Sequence, residues 1–272
     1  MSELIGISSK TVKPLKFAPG VISTGNEISS ITFSPDGKTV YFCRGTEMTR
    51  RCEEFTYFIM ESQFIDGKWN KAKIVSFSGK YHDVDPFMSP DGKKMFFSSR
   101  RPVENSNTDC ARIWEVECGK DGWEEPKVLG YPINSGFNDV FPSVTEDGTM
   151  YFTSSRPGVK GFSDIFCAKL INGVYSQYER LGDAVNSDGM DFDACISSDE
   201  RVLIFTRKIS NNDCDLFISF KRDNKWANAL NMSYMLGMEQ MFKYAPSLSS
   251  DGKTLFFTSN GDFYYIQLDI NK

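Results

Sequence analysis

The sequence is poor in the residues that most catalytic and metal sites need. It has one histidine, His82, so a Ser-His-Asp or Cys-His mechanism depends on that residue alone. None of its seven cysteines forms a Cys-x-x-Cys pair, whereas structural zinc sites use four closely placed nitrogen or sulfur ligands. Gly-rich phosphate-binding loops are absent as well. We therefore expect no catalytic residue, no metal and no cofactor.

Long hydrophobic runs and an excess of positive charge are also missing. No stretch approaches the ~20 apolar residues of a membrane helix, and the first ten residues do not resemble a signal peptide. The 36 acidic residues outnumber the 31 basic ones, which argues against general electrostatic binding to nucleic acid or membrane. The odd number of cysteines, several inside apolar runs, indicates reduced thiols. We expect a soluble, monomeric, cytoplasmic protein, or a periplasmic or exported one if a leader was trimmed.

What the sequence does contain is an internal repeat of five units. Each unit has an apolar segment, a turn built on Asp-Gly (Asp-Glu in the fourth unit) and an apolar-aromatic run that closes on phenylalanine. The closing residues lie 52 to 55 positions apart and are Phe42, Phe97, Phe152, Phe205 and Phe257. Asp-Gly suits the positive φ angles of tight hairpin turns, so the flanking segments are predicted to pair as antiparallel strands.

Two further strands complete each unit. A third apolar strand follows a polar loop, at residues 57–60, 112–116, 164–168, 215–219 and 262–266. A polar turn then leads to an aromatic residue that begins an outer strand, as at Trp69, Trp123, Tyr175 and Trp226. Four-stranded units that repeat at this spacing are typical of a β-propeller. We predict an all-β fold, a five-bladed β-propeller of four-stranded antiparallel blades, with a β-sandwich or two separate all-β domains as the alternative.

The fifth unit ends soon after its third strand and has no outer strand of its own. Residues 11–17 precede the first unit and are predicted to supply that strand, because an unpaired edge promotes aggregation. This assigns residues 1–272 to a single β-propeller domain. Its N-terminal segment, residues 1–22, is expected to complete the last blade and close the ring.

The turns of the first two units carry a family resemblance. Residues 34–38 and 89–93 both read Ser-Pro-Asp-Gly-Lys and are followed by aromatic pairs, and Ser-Ser-Arg follows at 98–100 and 154–156. These motifs resemble the WD-like Pro-Asp repeats of the TolB-like propeller family over residues 24–272. The later units replace the proline by Glu146, Ser198 and Ser250. The resemblance implies a propeller that binds a protein or another ligand more often than it catalyses a reaction.

Loop polarity predicts which face of the ring binds. Successive turns of a meander alternate ends, so the Asp-Gly turns share one face, here called the turn face. Segments before strand one and after strand two lie on the opposite face, where acids and arginines should meet. The candidate ligand-binding residues at that channel mouth are Glu27, His82, Asp83, Asp85, Asp139, Asp191, Asp193, Arg44, Arg100, Arg156 and Arg207.

These acids and arginines have two compatible interpretations. They form salt bridges between neighbouring blades, or they contact a ligand. Asp83 with Asp85, and Asp191 with Asp193, are two apart and should point to one side of an extended strand. We expect partly exposed ion pairs, so that neutralising Asp83 and Asp191 abolishes binding at little cost in stability. Long loops after the second strands should wall one side of the rim and carry Arg50, Arg51, Glu53, Glu54, Glu104 and Asn105.

These features favour a non-catalytic TolB-like propeller that binds a protein, small-molecule or carbohydrate ligand at the channel mouth. The alternative is a carbohydrate-active propeller enzyme, a glycosidase or lyase, that uses paired carboxylates. Binding predicts acids and arginines that neutralise one another, whereas catalysis predicts two carboxylates in an open cleft, one with a raised pKa. Residues 188–193 have the spaced carboxylates of a calcium loop but lack the EF-hand glycine and distal glutamate.

Overall fold

Five small antiparallel sheets surround a central axis. The computed structural model describes residues 7–9, 13–25, 27–46, 56–104, 106, 108–211, 213–236, 238 and 241–270. The innermost strand of each sheet packs against that of the next sheet, and the fifth packs against the first. This arrangement confirms the predicted five-bladed β-propeller.

The strands follow the predicted order in every blade. Two short N-terminal strands come first, β1 (Ile7–Ser9) and β2 (Leu15–Lys16). Blade I contains, from the axis outward, β3 (Ile28–Phe33), β4 (Thr39–Thr46), β5 (Thr56–Ile65), β6 (Lys68–Trp69) and β7 (Lys73–Ile74). Blade II contains β8 (Asp83–Met88), β9 (Lys94–Ser99), β10 (Arg112–Gly119), β11 (Gly122–Trp123) and β12 (Lys127–Val128).

The remaining three blades repeat this plan. Blade III contains β13 (Asp139–Val144), β14 (Met150–Ser154), β15 (Asp164–Ala168), a rim hairpin of β16 (Leu170–Ile171) and β17 (Val174–Tyr175), and β18 (Glu179–Arg180). Blade IV contains β19 (Asp191–Ile196), β20 (Val202–Ser210), β21 (Asp213–Arg222), β22 (Lys225–Trp226) and β23 (Leu230–Asn231), followed by helix α1 (Met232–Leu236). Blade V contains β24 (Tyr244–Leu248), β25 (Thr254–Ser259) and β26 (Asp262–Ile270).

The first hairpin of each blade is closed by the repeated turn motif. In blade I, Asp36 Oδ1 accepts hydrogen bonds from the Ser34 hydroxyl at 2.6 Å and from the Lys38 N–H at 3.0 Å. Gly37 follows with φ +68°, a left-handed conformation that glycine adopts without steric cost. The side-chain cap and the glycine explain why this short sequence fixes a tight turn.

N-terminal strands close the ring. Both β1 and β2 pair antiparallel with β26, and Leu15 lies opposite Tyr265. Phe17 then packs edge-on against Phe33 and Trp69 of blade I and Phe256 of blade V, at ring-centroid distances of 5.7, 5.6 and 5.4 Å. The predicted closure by an N-terminal strand is confirmed, and the outer strand consists of two pieces: β2 lies within the predicted strand at residues 11–17, and β1 lies before it, within residues 1–22.

The core lies between the blades and is built on the closing phenylalanines. Their side chains are fully buried in all five blades, at Phe42, Phe97, Phe152, Phe205 and Phe257. Burial of one such side chain stabilises the fold by roughly 1.5–3 kcal/mol. The repeated phenylalanine is therefore the main sequence signal of the blade-to-blade core.

Each inner strand contains a β-bulge at its second or third residue. The register with the second strand shifts there in all five blades. The bulged residues have φ between +48° and +57° and are Ser30, Asp85, Phe141, Asp193 and Ala245. A residue other than glycine in this conformation costs roughly 1–2 kcal/mol, so the surrounding packing has to hold it. These five residues form a narrow ring around the axis, here called the neck.

Two further observations concern the cysteines and the length of the helix. The cysteines within the described segments are all free thiols, and Cys52 falls outside those segments. Helix α1 is the sole helix found there and has five residues, so no described helix is long and apolar enough to cross a bilayer.

Candidate functional site

The central channel widens on the turn face into a cavity of about 980 Å³. The ends of the inner strands line it, and each blade contributes one apolar side chain: Phe33, Phe87, Val144, Ile196 and Leu248. The Asp-Gly turns add polar groups, among them Ser89, Ser198 and Ser250. A cavity of this size with a mixed lining is typical of a small-molecule site, for which ~300–1,000 Å³ is usual.

Charged side chains of this cavity are concentrated in blades IV and V. Lys221 forms a salt bridge of 2.7 Å with Glu200, and Arg201 lies 3.7 Å from Asp199. Arg222 and Lys253 also line the cavity, and neither forms a salt bridge with any described residue. One side of the cavity therefore carries four cations beside the carboxylates of Asp199 and Asp251, which also line it.

On the opposite face, the predicted acids are buried in ion pairs. Asp83 receives two hydrogen bonds from Arg101, at 3.1 and 3.0 Å, and Arg207 donates to Asp191 at 2.6 Å. The side chains of Asp83, Asp139 and Asp191 have no exposed surface. The expectation of partly exposed ion pairs is therefore wrong for these three acids, because the inner strand places them beneath the loops that lead into it.

These ion pairs lie within one blade rather than between neighbouring blades. In blade III the Arg156 guanidinium donates to Asp139 at 2.8 Å and also to the carbonyls of Pro132 and Ile133, in the segment that arrives from blade II. Arg207 likewise donates to the Val185 carbonyl. The prediction of salt bridges between blades is wrong for these three acids: each ion pair lies within its own blade, and the same arginine holds the connecting segment through backbone carbonyls.

The first and fifth blades depart from this pattern. Ile28 occupies the position of the acid in blade I, and within the described residues Arg44 donates one hydrogen bond of 3.4 Å to the Ile22 carbonyl and lies over the Phe42 ring. Blade V has Lys243 at the same position, 1% exposed, with its ammonium 3.2 Å from Asp215 and 2.8 Å from the Met238 carbonyl. Lys243 reverses the sign of the charge but keeps the function of holding the connecting segment.

Three other predicted residues lie apart from the acids. Arg100 does not contact Asp83; it lies at 3.7 Å from Asp109 in an exposed loop. The Tyr57 hydroxyl donates to Glu27 at 3.0 Å, and the Tyr57 ring packs edge-on against His82 at 5.9 Å. Glu27, which is exposed, and His82, which is half-buried, thus both contact Tyr57, and a role in binding stays a prediction for them.

Asp85 and Asp193 line the neck, where the cavity measures about 30 Å³. Ser30 donates to Asp85 at 3.1 Å, while Thr206 and the Ala245 N–H donate to Asp193 Oδ2 at 3.0 and 2.9 Å. Burial raises the pKa of Asp85 to about 7, and burial together with the charge of Asp85 raises the pKa of Asp193 well above its usual value. The bulge explains why Asp85 has different partners from Asp83, two residues before it, contrary to the expectation for a regular strand.

Most of the residues predicted to wall one side of the rim fall outside the described segments. Arg50, Arg51, Glu53, Glu54 and Asn105 lie outside the described residues, and Glu104 is exposed. The repeat pattern gives no sign of a binding site on the turn face, because backbone geometry already explains the residues of the turns. The cations of residues 201, 221, 222 and 253, which meet at this face, were the signal that could have identified it.

No protein-family model matches the sequence, and no curated protein matches it. An α-L-arabinofuranosidase from Lactobacillus brevis is similar in structure, with a TM-score of 0.58 and 14% identity over 93% of this chain and 92% of that one. TolB from Acinetobacter baumannii has a TM-score of 0.55 and 18% identity over 89% of this chain. This chain covers 54% of that TolB chain, about half its length. At these identities the likeness shows the propeller fold alone.

Proposed function

We propose that this protein is a non-catalytic propeller of the TolB-like kind that binds a small ligand or a short protein segment in the turn-face cavity. The observation that carries this proposal is the cavity of about 980 Å³ to which all five blades contribute. A concave, partly apolar site with a few polar groups is the usual form of a ligand site. The proposal moves the site from the mouth predicted by loop polarity to the other end of the channel.

The state of the acids supports binding rather than catalysis. Asp83, Asp139 and Asp191 are each neutralised by an arginine, as expected for a binding propeller. A carboxylate that is fully buried and paired in this way is out of reach of a substrate, and removal of its arginine would leave an uncompensated buried charge. The fully buried acids of the predicted site are therefore assigned a structural role.

Cations on one side of the cavity suggest the chemistry of the ligand. Arg222 and Lys253 line it without a salt-bridge partner among the described residues. A ligand with a carboxylate or phosphate group gains charge-assisted hydrogen bonds there. We expect the anionic end of the ligand to lie toward blades IV and V.

A substitution that fills the cavity tests the site. Ser198 is an exposed residue of the cavity lining, and Ser198→Trp should place an indole in the cavity without disturbing the core. The matched control is Gln177→Trp, an exposed position near the outer edge of blade III. A panel of anionic metabolites and short acidic peptides is screened by thermal shift against the unsubstituted protein. Hits should lose at least about tenfold in affinity in Ser198→Trp and keep their affinity in the control; equal binding by both variants contradicts the site.

One observation favours the alternative function, a carbohydrate-active enzyme: the pKa of Asp85 in the channel is raised, as expected of a general acid. The solved arabinofuranosidase has a similar fold, which makes aryl arabinofuranosides and related aryl glycosides the natural assay substrates. Against this function, Asp85 and Asp193 are 6% and 2% exposed in a neck too narrow for a sugar ring. Turnover of an aryl glycoside that disappears in Asp85→Asn would establish catalysis and reject the binding proposal.

A further inference from the structure

The neck holds two buried carboxylates without a counter-charge. Among the described residues, no lysine or arginine forms a salt bridge with Asp85 or Asp193, whereas Asp83, Asp139 and Asp191 each have an arginine. Asp85 belongs to blade II and Asp193 to blade IV, so the two carboxylates approach the axis from separate sheets. Buried carboxylates require a paired charge or a bound cation to remain ionised.

One oxygen of the pair has no partner. Asp193 Oδ2 accepts two hydrogen bonds, but Asp193 Oδ1 is buried and accepts none in the described structure. Leaving such an atom unsatisfied costs roughly 1–3 kcal/mol or more for a charged group. Asp193 is 2% exposed and lines the neck cavity, so its carboxylate lies beside the space inside the channel.

The neck is sized for an ion rather than for an organic ligand. Its cavity of about 30 Å³ exceeds the ~10–15 Å³ that one water-sized sphere needs, yet it is far smaller than a sugar or nucleotide. Ser30 and Ser247 add hydroxyl oxygens to the lining. Cys195 also lines it, but its thiol is a soft ligand, whereas hard cations select oxygen ligands.

We propose that the neck is a binding site for one hard divalent cation, Ca²⁺ in preference to Mg²⁺, held between the carboxylates of Asp85 and Asp193. Two positive charges match the two carboxylates, and a divalent ion takes Asp193 Oδ1 as a ligand. No three Asp, Glu, His or Cys side chains converge anywhere in the described structure, so hydroxyl, backbone carbonyl and water oxygens supply the other ligands. Ca²⁺ accepts such a mixed set of oxygens in flexible geometry, whereas Mg²⁺ demands a near-ideal octahedron.

Bound in this place, the ion joins blades II and IV across the axis. It also sits beneath the turn-face cavity, whose lining shares Phe87 and Cys195 with the neck. The site does not depend on what the cavity binds, because its ligands belong to the neck alone. The alternative to a bound cation is protonation of the two carboxylates, which also removes their negative charge. In that case added Ca²⁺ leaves the unfolding temperature unchanged.

The test uses the full chain after treatment with a chelator, at pH 7.5. Added Ca²⁺ should raise the unfolding temperature in a saturable way, since a ligand of the native state stabilises it by mass action, and Mg²⁺ should raise it less. Asp193→Asn and Asp85→Asn should each lower Ca²⁺ affinity by more than about 100-fold, the upper limit for loss of an outer-shell partner. The matched control, Asp251→Asn in an exposed turn, should keep the Ca²⁺ response.

A direct measurement covers the case in which the neck variants fail to fold. Equilibrium dialysis of the unsubstituted protein should give one Ca²⁺ per chain, and crystals grown with Tb³⁺ should show an anomalous peak about 2.3–2.6 Å from Asp193 Oδ1. Absence of any Ca²⁺-dependent stabilisation of the unsubstituted protein overturns the proposal in favour of protonated carboxylates. A Ca²⁺ response that survives in both folded neck variants, or an anomalous peak elsewhere, overturns it as well.

Discussion

Arg156 and Asp139 form an ion pair of 2.8 Å inside blade III, with side chains 1% and 0% exposed. The guanidinium also lies over the Tyr178 ring, with its carbon 4.2 Å from the ring centroid, and donates to two backbone carbonyls. Both charges are thus removed from water, and each is satisfied only by the other and by the local hydrogen bonds.

Removal of one charge from this pair should destabilise the protein strongly. Asp139→Asn leaves the buried guanidinium without its counter-charge, so we expect the free energy of unfolding to fall by about 3–5 kcal/mol. The control, Asp109→Asn, removes a 90% exposed partner of Arg100 and should cost less than about 1 kcal/mol. Urea unfolding of both variants measures the difference; equal stabilities would contradict the structural role. By the same reasoning, neutralising Asp83 and Asp191 should destabilise the protein rather than abolish binding alone.

Closure of the ring by the N-terminal segment should be essential for stability. Phe17→Ala removes a ring that contacts aromatic residues of blades I and V, and we expect a loss of about 3 kcal/mol. Phe162→Ala makes the same change at a side chain that is 75% exposed and serves as the control. Deletion of residues 1–22 should go further and cause aggregation, because it exposes the edge of β26. A truncated protein that melts cooperatively at the unchanged temperature would show that the closure is dispensable.

The thiols should differ widely in reactivity. Cys118 is exposed, whereas Cys43 and Cys195 are buried, and burial raises the pKa of Cys195 to about 12. Iodoacetamide at pH 8 should therefore label Cys118 in the native protein and leave Cys43 and Cys195 unmodified until denaturant is added. Mass mapping of the labelled peptides measures this order. Under non-reducing, denaturing conditions all seven thiols should react, and blocked pairs in protein purified without oxidant would contradict the prediction of reduced cysteines.

The turn carboxylates should cause a loss of stability in acid. Hydrogen bonds from the Thr145 hydroxyl and the Thr149 N–H lower the pKa of Asp147 from its ordinary value of 3.8. The native state therefore binds fewer protons than the unfolded state, so this contribution is complete above about pH 4 and is lost as the pH falls further. Asp147→Asn should reduce the decline of unfolding free energy between pH 4 and pH 2, and Asp188→Asn, at a 95% exposed side chain, should leave it unchanged. Identical pH profiles for the two variants would show that the turn carboxylate is not the source of the stability lost in acid.

The architecture is predictable from the sequence alone, because the turn and core residues that specify it are local and repeat in every unit. Asp36-Gly37 and its equivalents specify hairpins through backbone conformation, and a phenylalanine such as Phe97 in every unit specifies the face that packs on the preceding blade. The need to cover the last edge also placed an N-terminal strand against β26. These features need no knowledge of distant contacts.

The burial and the contacts of the charged residues depend on the tertiary structure. Asp83 and Asp85 are chemically identical and two residues apart, yet one meets Arg101 inside its blade and the other faces the neck. The difference comes from a β-bulge at Asp85, where φ is +57°. Packing holds this conformation, and the sequence has no glycine there that would predict it. The turn-face cavity likewise arises where five strand ends converge around the axis, a juxtaposition that repeat spacing does not encode. The burial of each carboxylate and its ion-pair partner depend on how the blades meet around the axis. This geometry decides which carboxylates are neutralised and which have no counter-charge.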